Sequence, residues 1–506
     1  MRRAVSEVML IVLFLSVLIS VVKIQPVKAA TITVPDDYPT IQEAVDAAVS
    51  GDTVYVRNGT YHEELNVDKS IAFVGEDKST KLVGNGTSIG FSLPHEDILV
   101  KIIGFTIENY SIGVRSTGHG ADGRSRFEAF ENLFIENGIG ACVDELGSGL
   151  IADSVFFNNT NSIYAGFRTD AEIRDNLLLF SDGYGIAVDT NDGYTNVTNN
   201  YLRGNRFGVH ILSAAGYQCS GALYNTTLDQ NDYAVYISGR NSSEEPSNIL
   251  WDVYNNNFVN NTQQVQIEGV EGLILNVSWN AAYPSGGNYW SDYTGSDLHH
   301  GSFQNETGSD GIGDVPYAID ANNRDNYPLM NPWAPPDIAV NALSTSKTIV
   351  GQGYFGNFNV TFENQGSKIE AFNFTTYANS TAICSEQIML TASNFTLSFI
   401  WNTTGFAYGN YTINACAEPL LEESDLSDNN CTCSFAVHIG VPGDISGVTV
   451  GVYDGQTNMR DIQYMIGKFN SKPGYLNWVP NADVNNDNVI NMRDIQIAIL
   501  NFNQHE

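Results

Sequence analysis

Basic residues are scarce in this chain: 24 Lys and Arg stand against 57 Asp and Glu, a formal charge of −33. Phosphate backbones are held by a basic footprint, so this balance excludes nucleic acid as a principal partner. Charge of either sign is sparse, at 16% of residues, while Gly, Tyr and Phe are plentiful. A disordered chain carries more charge and less apolar surface, so a core can be built. Beyond Val22 no apolar run is long enough to span roughly 30 Å of hydrocarbon. Cysteine is limited to six residues, with no Cys-x-x-Cys pair, which excludes the common zinc frameworks. The 506 residues imply about three to five domains of roughly 100–200 residues.

What is present first points to export. Arg2 and Arg3 precede the apolar run Val8–Val22, and Val27 and Ala29 sit at −3 and −1 of a cleavage site. Residues 1–29 therefore read as a secretory signal, an uncleaved membrane anchor being the alternative. The chain also holds 17 Asn-x-Ser/Thr sequons from Asn58 to Asn430, each a surface acceptor in an exported glycoprotein. In that setting Cys384, Cys416, Cys431 and Cys433 are candidates for disulfides of unreadable pairing. Cys142 and Cys219 read as buried.

One helix is expected early, over Pro39–Val49, from apolar Ile41, Ala44, Val45 and Ala48 on one face. Strands follow, such as Thr53–Val56 and Ile71–Val74. From about residue 100 a repeat appears in segments starting at Ser111, Gly138, Ser162, Gly185, Gly208, Ala234 and Gln264. An apolar residue recurs six positions earlier (Phe105, Phe156, Leu179, Leu202, Leu228, Phe258). A polar one recurs three positions earlier (Asn159, Asp182, Asn205, Asn231, Asn261). A period of 20–30 residues with short strands and no helix signal predicts a parallel β-helix, one chain turn per repeat. The Asn/Asp column then forms a ladder at a bend, where left-handed backbone is tolerated.

The start, TVPDDYPTIQEAVDAAVSGDTVYVRNGTYHEELNVDKSIAFVGE, resembles the N-terminal cap of pectin-lyase-like right-handed β-helices. The block Gly287–Met330, GNYWSDYTGSD…DGIGDVPYAIDANNRDNYPLM, resembles the closing segment of NosD-like β-helix proteins. Together they imply a β-helix over residues 31–332. After the Pro-rich linker Trp333–Pro336, alternating strands with Gly and Asn turns predict a β-sandwich over 337–440. This set resembles the CARDB family, an immunoglobulin-like module read as a spacer or adhesion unit. The expected fold class is thus mainly β, with a small helical module over 443–502.

That module carries the sharpest motif. Asp483, Asn485, Asp487, Asn491 and Asp494 occupy positions 1, 3, 5, 9 and 12 of an EF-hand-like loop, with the Val489 carbonyl at 7. Such spacing suits a hard cation, Ca²⁺. Asn488 stands at position 6, where Gly is usual, and Ile490 at position 8 anchors the loop. The segment 491–502 nearly copies 458–469, one 33-residue step earlier. The first loop has Asp454, Gln456, Asn458 and Asp461 at 5, 7, 9 and 12, with Asp444 and Ser446 at 1 and 3 if six inserted residues bulge away. The duplication resembles a type I dockerin, which implies a cohesin-like partner. Positions 10 and 11 hold Met459, Arg460, Met492 and Arg493, a departure from the small hydroxyl pair common in that family.

The β-helix offers less chemistry. Relatives of the fold that cleave polysaccharides use clustered Asp, or Arg and Lys beside Ca²⁺-binding carboxylates. The nearest candidates are Arg168, Asp170, Asp189, Asp192 and His210, against the plainer reading of solvated surface carboxylates. In one column Tyr164, Ala187, His210, Tyr236 and Gln266 share an outer face, and Tyr164, His210 and Tyr236 are the candidates for stacking on sugar rings. Ordinary cross-strand packing is the alternative. Asp297, Asp310, Asp314 and Asp320 suggest a cap loop more than a Ca²⁺ site. His299-His300 makes only a partial copper set, since no Met or Cys accompanies it. The expectation is an exported modular protein that recognises glycans or cell-surface polymers, binds Ca²⁺ and docks through a dockerin. A polysaccharide lyase or glycoside hydrolase is the rival reading, and a structural surface-layer role the third.

Overall fold

The computed structural model describes residues 29–94, 97–118, 125–189, 193–214, 216–239, 246–268, 273–367, 370–390, 394–421, 423 and 425–506. The signal expectation, up to residue 28, and the candidate Asp192 lie outside these residues. Among the described residues no helix is long and apolar enough to cross a membrane. The fold is mainly β, as expected, and it divides into two compact units. One holds the β-helix up to Ser278, apart from Tyr254–Asn257; the other holds those four residues and everything from Trp279 onward.

The β-helix opens with the helix Ile41–Ala47, whose Ile41, Ala44 and Val45 are buried. Thr40 caps it by accepting from the Glu43 N–H, and the Glu63 carboxylate accepts from Ile41 and Gln42 N–H at 2.9 Å each. Three parallel sheets then run along the solenoid. One starts at Thr31–Val34 and reaches Leu273–Ser278; a second starts at Gly59–Tyr61; a third of nine strands runs from Leu65–Asn66 to Gln263–Ile267. Parallel pairing repeats turn after turn: Ile163 faces Ile186, then Val209, Val235 and Val265. Inward residues stack in columns, Phe134 lying flat on Phe156 at 4.5 Å between ring centres.

Each turn bends twice in the same way. Glu131, Asp153, Asp175, Asn199 and Asn225 adopt left-handed backbone with φ of 52–58°. The next residues, Asn132, Ser154, Asn176, Asn200 and Thr226, are buried and linked turn to turn. Asn200 Oδ1 accepts from the Asn176 N–H at 3.0 Å, and its Nδ2 donates to the Ile173 carbonyl at 2.8 Å. The second bend repeats this with Asn137, Asn159, Ser181, Asn205, Asn231 and Asn261. Asn231 Oδ1 accepts from Asn205 N–H at 3.0 Å, and Asn231 Nδ2 donates to Leu202 O at 3.0 Å. At a corner the backbone leaves its sheet and loses its ladder partners, so a side-chain amide that donates and accepts replaces both.

Three sequence expectations need correction. The first two repeat segments are aligned two residues early: Gly113, not Ser111, and Gly140, not Gly138, share the column of Ser162, because Val114 pairs with Ala141 and Ala141 with Ile163. A two-residue slip leaves the inside–outside alternation unchanged, so the apolar pattern does not detect it. Likewise Ile107, not Phe105, sits in the column of Phe134. Asp182 and Leu179 are each off by one: Ser181 holds the ladder position and buried Leu178 pairs with Leu202, because Asp182 is an extra residue at that bend. The second ladder, Asn132 to Thr226, is not among the sequence expectations.

In the second unit the segment after Trp279 closes around Asp325, a buried carboxylate that accepts from Asn288 N–H at 2.7 Å and Trp290 Nε1 at 3.0 Å. The sandwich follows from Ile338, antiparallel in the strands Phe355–Asn364, Glu370–Ala378, Thr381–Leu390 and Asn394–Asn402. Its core is Phe358, Phe362, Phe374 and Trp401. None of the four sandwich cysteines forms a disulfide. Cys384 and Cys431 sit on one rung with Thr376 and Ala415 between them. Three strand spacings of about 4.8 Å exceed the reach of an S–S bond. The chain ends in the helices Met459–Ile466 and Met492–Leu500, packed around Ile445, Ile462, Met465, Val484, Ile490 and Ile495.

The ladder carries a measurable load. Asn205→Leu orphans the buried Ser181 N–H and Leu178 carbonyl. At about 1–3 kcal/mol per orphaned group, it is expected to cost about 2–6 kcal/mol in denaturant unfolding followed by circular dichroism. Asp182→Ala, off the ladder, is expected to stay within about 0.5 kcal/mol.

Candidate functional site

The third sheet carries an aromatic outer face. His210 and Tyr236 are paired neighbours, their rings 5.2 Å apart and edge-on. Beside them runs a second column, Tyr184, Phe207 and Tyr233, in register across three turns. Phe207 stacks on Tyr233 at 5.4 Å and approaches Tyr236 at 4.9 Å and His210 at 5.8 Å. All five rings are half-buried, so each shows part of a face or edge to solvent. Tyr164 lies in the His210 column but two turns away, with buried Ala187 between them. The platform expected from Tyr164, His210 and Tyr236 therefore falls into two parts.

His210 is the inner member of this cluster. Its Nε2 lies 2.9 Å from Ser238 Oγ, and burial pushes its pKa down to about 4. At neutral pH the ring is uncharged and serves as a packing surface. Tyr236 is tied at its hydroxyl, which donates to Glu268 Oε2 at 3.1 Å. Tyr184, Phe207 and Tyr233 are not among the sequence expectations. A signal for them exists: each immediately precedes one of the aligned segments Gly185, Gly208 and Ala234.

The other described catalytic candidates, Arg168, Asp170 and Asp189, sit on different elements. Arg168 is exposed at a bend, with left-handed backbone, over the ring of Phe167 at 5.2 Å. Asp189 is buried at the end of the strand Tyr184–Val188. Asp170 starts a strand of the first sheet and lies in an open groove of about 400 Å³ with Arg126, Ser148, Glu172 and Tyr194. Asp170 Oδ1 accepts from Tyr194 N–H at 3.1 Å. Arg126 bonds Glu128 at 3.1 Å, and Lys101 reaches the same carboxylate at 2.9 Å. The groove thus sets a guanidinium near carboxylates on one sheet face.

The C-terminal module holds two acidic loops of like construction. In the second, oxygens of Asp483, Asp487 and Asp494 all lie within 4.8 Å of one another. Asp483 accepts from Asp487 N–H at 3.1 Å and Asn488 N–H at 2.9 Å; Asp494 accepts from Asn485 N–H at 3.2 Å and Asn491 N–H at 2.9 Å. Asn488 takes left-handed backbone, φ 64°, the conformation its position demands. Asn491 caps the helix through the Arg493 N–H, and its Nδ2 donates to the Val489 carbonyl at 3.0 Å.

The first loop repeats the frame. Asp444 accepts from Asp454 N–H at 3.2 Å and Gly455 N–H at 2.8 Å. Asp461 accepts from Ile445, Ser446 and Asn458 N–H at 2.7–2.8 Å, and Asn458 Nδ2 donates to the Gln456 carbonyl at 3.2 Å. The six inserted residues fold back on themselves: Gly447 N–H donates to Val452 O, and Gly451 N–H to Ser446 Oγ at 2.9 Å. Burial raises the pKa of Asp461, Asp483 and Asp494 and pushes Asp444 up to about 6. These are carboxylates for which a cation is the natural complement.

The match to known families falls on the β-helix. Residues 45–295 match the family described as periplasmic copper-binding protein (NosD). No curated protein matches the chain. Among solved structures, a CARDB domain of a Pyrococcus furiosus protein in complex with di-metal ions is similar at 24% identity, covering 21% of this chain and 94% of that one, with a TM-score of 0.19. A C-terminal interface mutant of a type II cohesin–X-dockerin complex from Acetivibrio cellulolyticus is similar at 18% identity, covering 26% and 83%, with a TM-score of 0.12. Over residues 45–295 this chain is a NosD-like β-helix.

Proposed function

We propose that this is an exported, calcium-dependent modular protein whose β-helix binds glycans on the aromatic outer face of its third sheet. The observation that carries the reading is the double column of half-buried rings, Tyr184, Phe207 and Tyr233 beside His210 and Tyr236. Core aromatics of this β-helix, such as Phe134 and Phe156, point inward, so these rings are not needed to fill it. Sugar rings pack their apolar C–H faces on aromatic faces while their hydroxyls reach polar groups at the edge, here Glu268 and Gln266. Tyr164 is outside this platform. The polysaccharide lyase or hydrolase reading keeps one specific support, a single groove lined by Arg126 and, two turns along, Asp170 and Glu172. Unsaturated or reducing ends released from a bound polymer would establish it.

The metal of this chain is, in our reading, Ca²⁺ in the two C-terminal loops. Copper fits poorly. His299 and His300 are adjacent on one short strand, and each faces a carboxylate, Asp314 at 3.3 Å and Glu306 at 3.8 Å. Among the described residues the group that gathers three metal-type side chains is the aspartate trio of the second loop. Hard oxygen donors suit Ca²⁺ and not copper. Asp483, Asn485, Asp487, Asn491 and Asp494, with the Val489 carbonyl, would hold one ion. Asp444, Ser446, Asp454, Asn458 and Asp461, with the Gln456 carbonyl, would hold the other. The exposed pairs Met459-Arg460 and Met492-Arg493 then present the module to a cohesin-like partner.

Two outcomes test these readings. In a glycan array on the chain without its leader, Tyr233→Ala with Tyr236→Ala is expected to weaken binding about tenfold or more, at about 0.5–1.5 kcal/mol per ring. Tyr164→Ala is expected to leave it unchanged, and equal affinity of parent and double variant for every bound glycan would refute the platform. Chelation is expected to strip hydrogen-exchange protection from Met492–Leu500 while the β-helix stays protected, and Asp494→Ala to do the same with calcium present. Full protection under chelator would exclude the calcium reading.

A further inference from the structure

The sandwich places one cation inside the calcium module. Lys347 is only 4% exposed, and its Nζ donates to the backbone carbonyl of Asp483, the residue that opens the second loop. The carboxylates of Asp483 and Asp494 are the charges that face it. The segment around it is clamped in place: Asn481 Oδ1 accepts from Thr348 N–H at 3.0 Å and Ile349 N–H at 3.3 Å, and Asn481 Nδ2 donates to Thr348 Oγ1 at 2.9 Å. A buried ammonium has lost its water and persists only where negative charge replaces it. The second loop supplies that charge with Asp483 and Asp494.

The first loop has three aspartates of its own, Asp444, Asp454 and Asp461. The strongest charges acting on Asp444 and Asp461 are those of neighbouring aspartates. The other cations match between the loops: Arg460 lies 3.7 Å from Asp454, and Arg493 lies 3.8 Å from Asp487, both exposed. Two charged features then differ between the loops: Lys347 at the second, and at the first the Glu506 carboxylate, paired with His438 beside Gly455.

We propose that Lys347 is an affinity-setting residue lent by the sandwich to the second loop, so that the two loops bind Ca²⁺ unequally, the first tightly and the second weakly. The inference rests on the calcium reading above. With a divalent ion bound, three carboxylates and the ammonium leave the second loop neutral, while the first keeps a net negative charge. Without the ion, Lys347 relieves the repulsion among Asp483, Asp487 and Asp494 and holds the loop near its bound shape. The ammonium and the ion repel each other at short range in a medium of low effective dielectric, which lowers the affinity of the second loop.

Calcium titration calorimetry on the chain without its leader decides the matter, with Asp461→Ala and Asp494→Ala assigning each binding class to a loop. The wild type is expected to show two classes, the weaker abolished by Asp494→Ala. Lys347→Met and Lys347→Gln are expected to tighten that class about tenfold or more and leave the other unchanged, while Lys347→Arg keeps it weak. A lower melting temperature with unchanged calcium affinity would reduce Lys347 to a tether and overturn the proposal, as would a weaker class that belongs to the first loop. Absence of binding heat in the wild type would instead overturn the calcium reading itself.

Discussion

The β-helix depends on how its corners satisfy the backbone. Between sheets the chain must turn, and at each turn one N–H and one C=O face the interior without a ladder partner. The buried amides of Asn132, Asn176 and Asn200 on one edge, and of Asn137, Asn159, Asn205 and Asn231 on the other, supply both a donor and an acceptor. Each is preceded by a residue with positive φ, so the same two-residue unit makes the turn and closes its hydrogen bonds. Where the ladder residue is Ser154, between Asn132 and Asn176, or Ser181, between Asn159 and Asn205, the column continues with a smaller group, and the stack tolerates it because the neighbours remain amides.

That corner device frees the outer faces. With apolar side chains stacked inside and polar satisfaction confined to two edges, the solvent side of each sheet is available for other chemistry. The third sheet uses it for rings: Tyr184, Phe207 and Tyr233 recur at one position because the turns are in register, and His210 and Tyr236 stand beside them. The first sheet uses it for charge, with Arg126 set two turns from Asp170 and Glu172 along one groove. In each case residues more than twenty positions apart meet because each turn of chain advances the solenoid by only about 4.8 Å.

The C-terminal module follows a different logic. Its core is small, and buried aspartates occupy the centre of both loops, held by backbone N–H groups. Such a unit needs an added source of stability. The sandwich contributes contacts through Lys347, through Asn481 bound to Thr348 and Ile349, and through His438 stacked on Tyr453 at 3.9 Å. Sandwich and module are joined through polar contacts at the start of the second loop and a ring contact at Tyr453, within the first.

The sequence alone determined the class of each part, because periodicity and composition are local properties. A 20–30-residue repeat of short apolar strands specified a β-helix, alternating strands specified a sandwich, and the 33-residue duplication placed Asp461 and Asp494 in equivalent roles. It could not determine register within the repeat. Two-residue slips at Ser111 and Gly138 preserve the alternation, and the extra Asp182 displaced Leu179 and hid Ser181. Nor could it decide which outward residues gather. Tyr164 shares a column with His210 yet lies two turns away, while Phe207 and Tyr233 belong to the face through a neighbouring column. Lys347 is the furthest case: 136 residues from Asp483 in the chain, it reaches that carbonyl only because the sandwich and the C-terminal module fold against each other. Side-chain proximity of that kind is set by tertiary packing and leaves no periodic trace in the sequence.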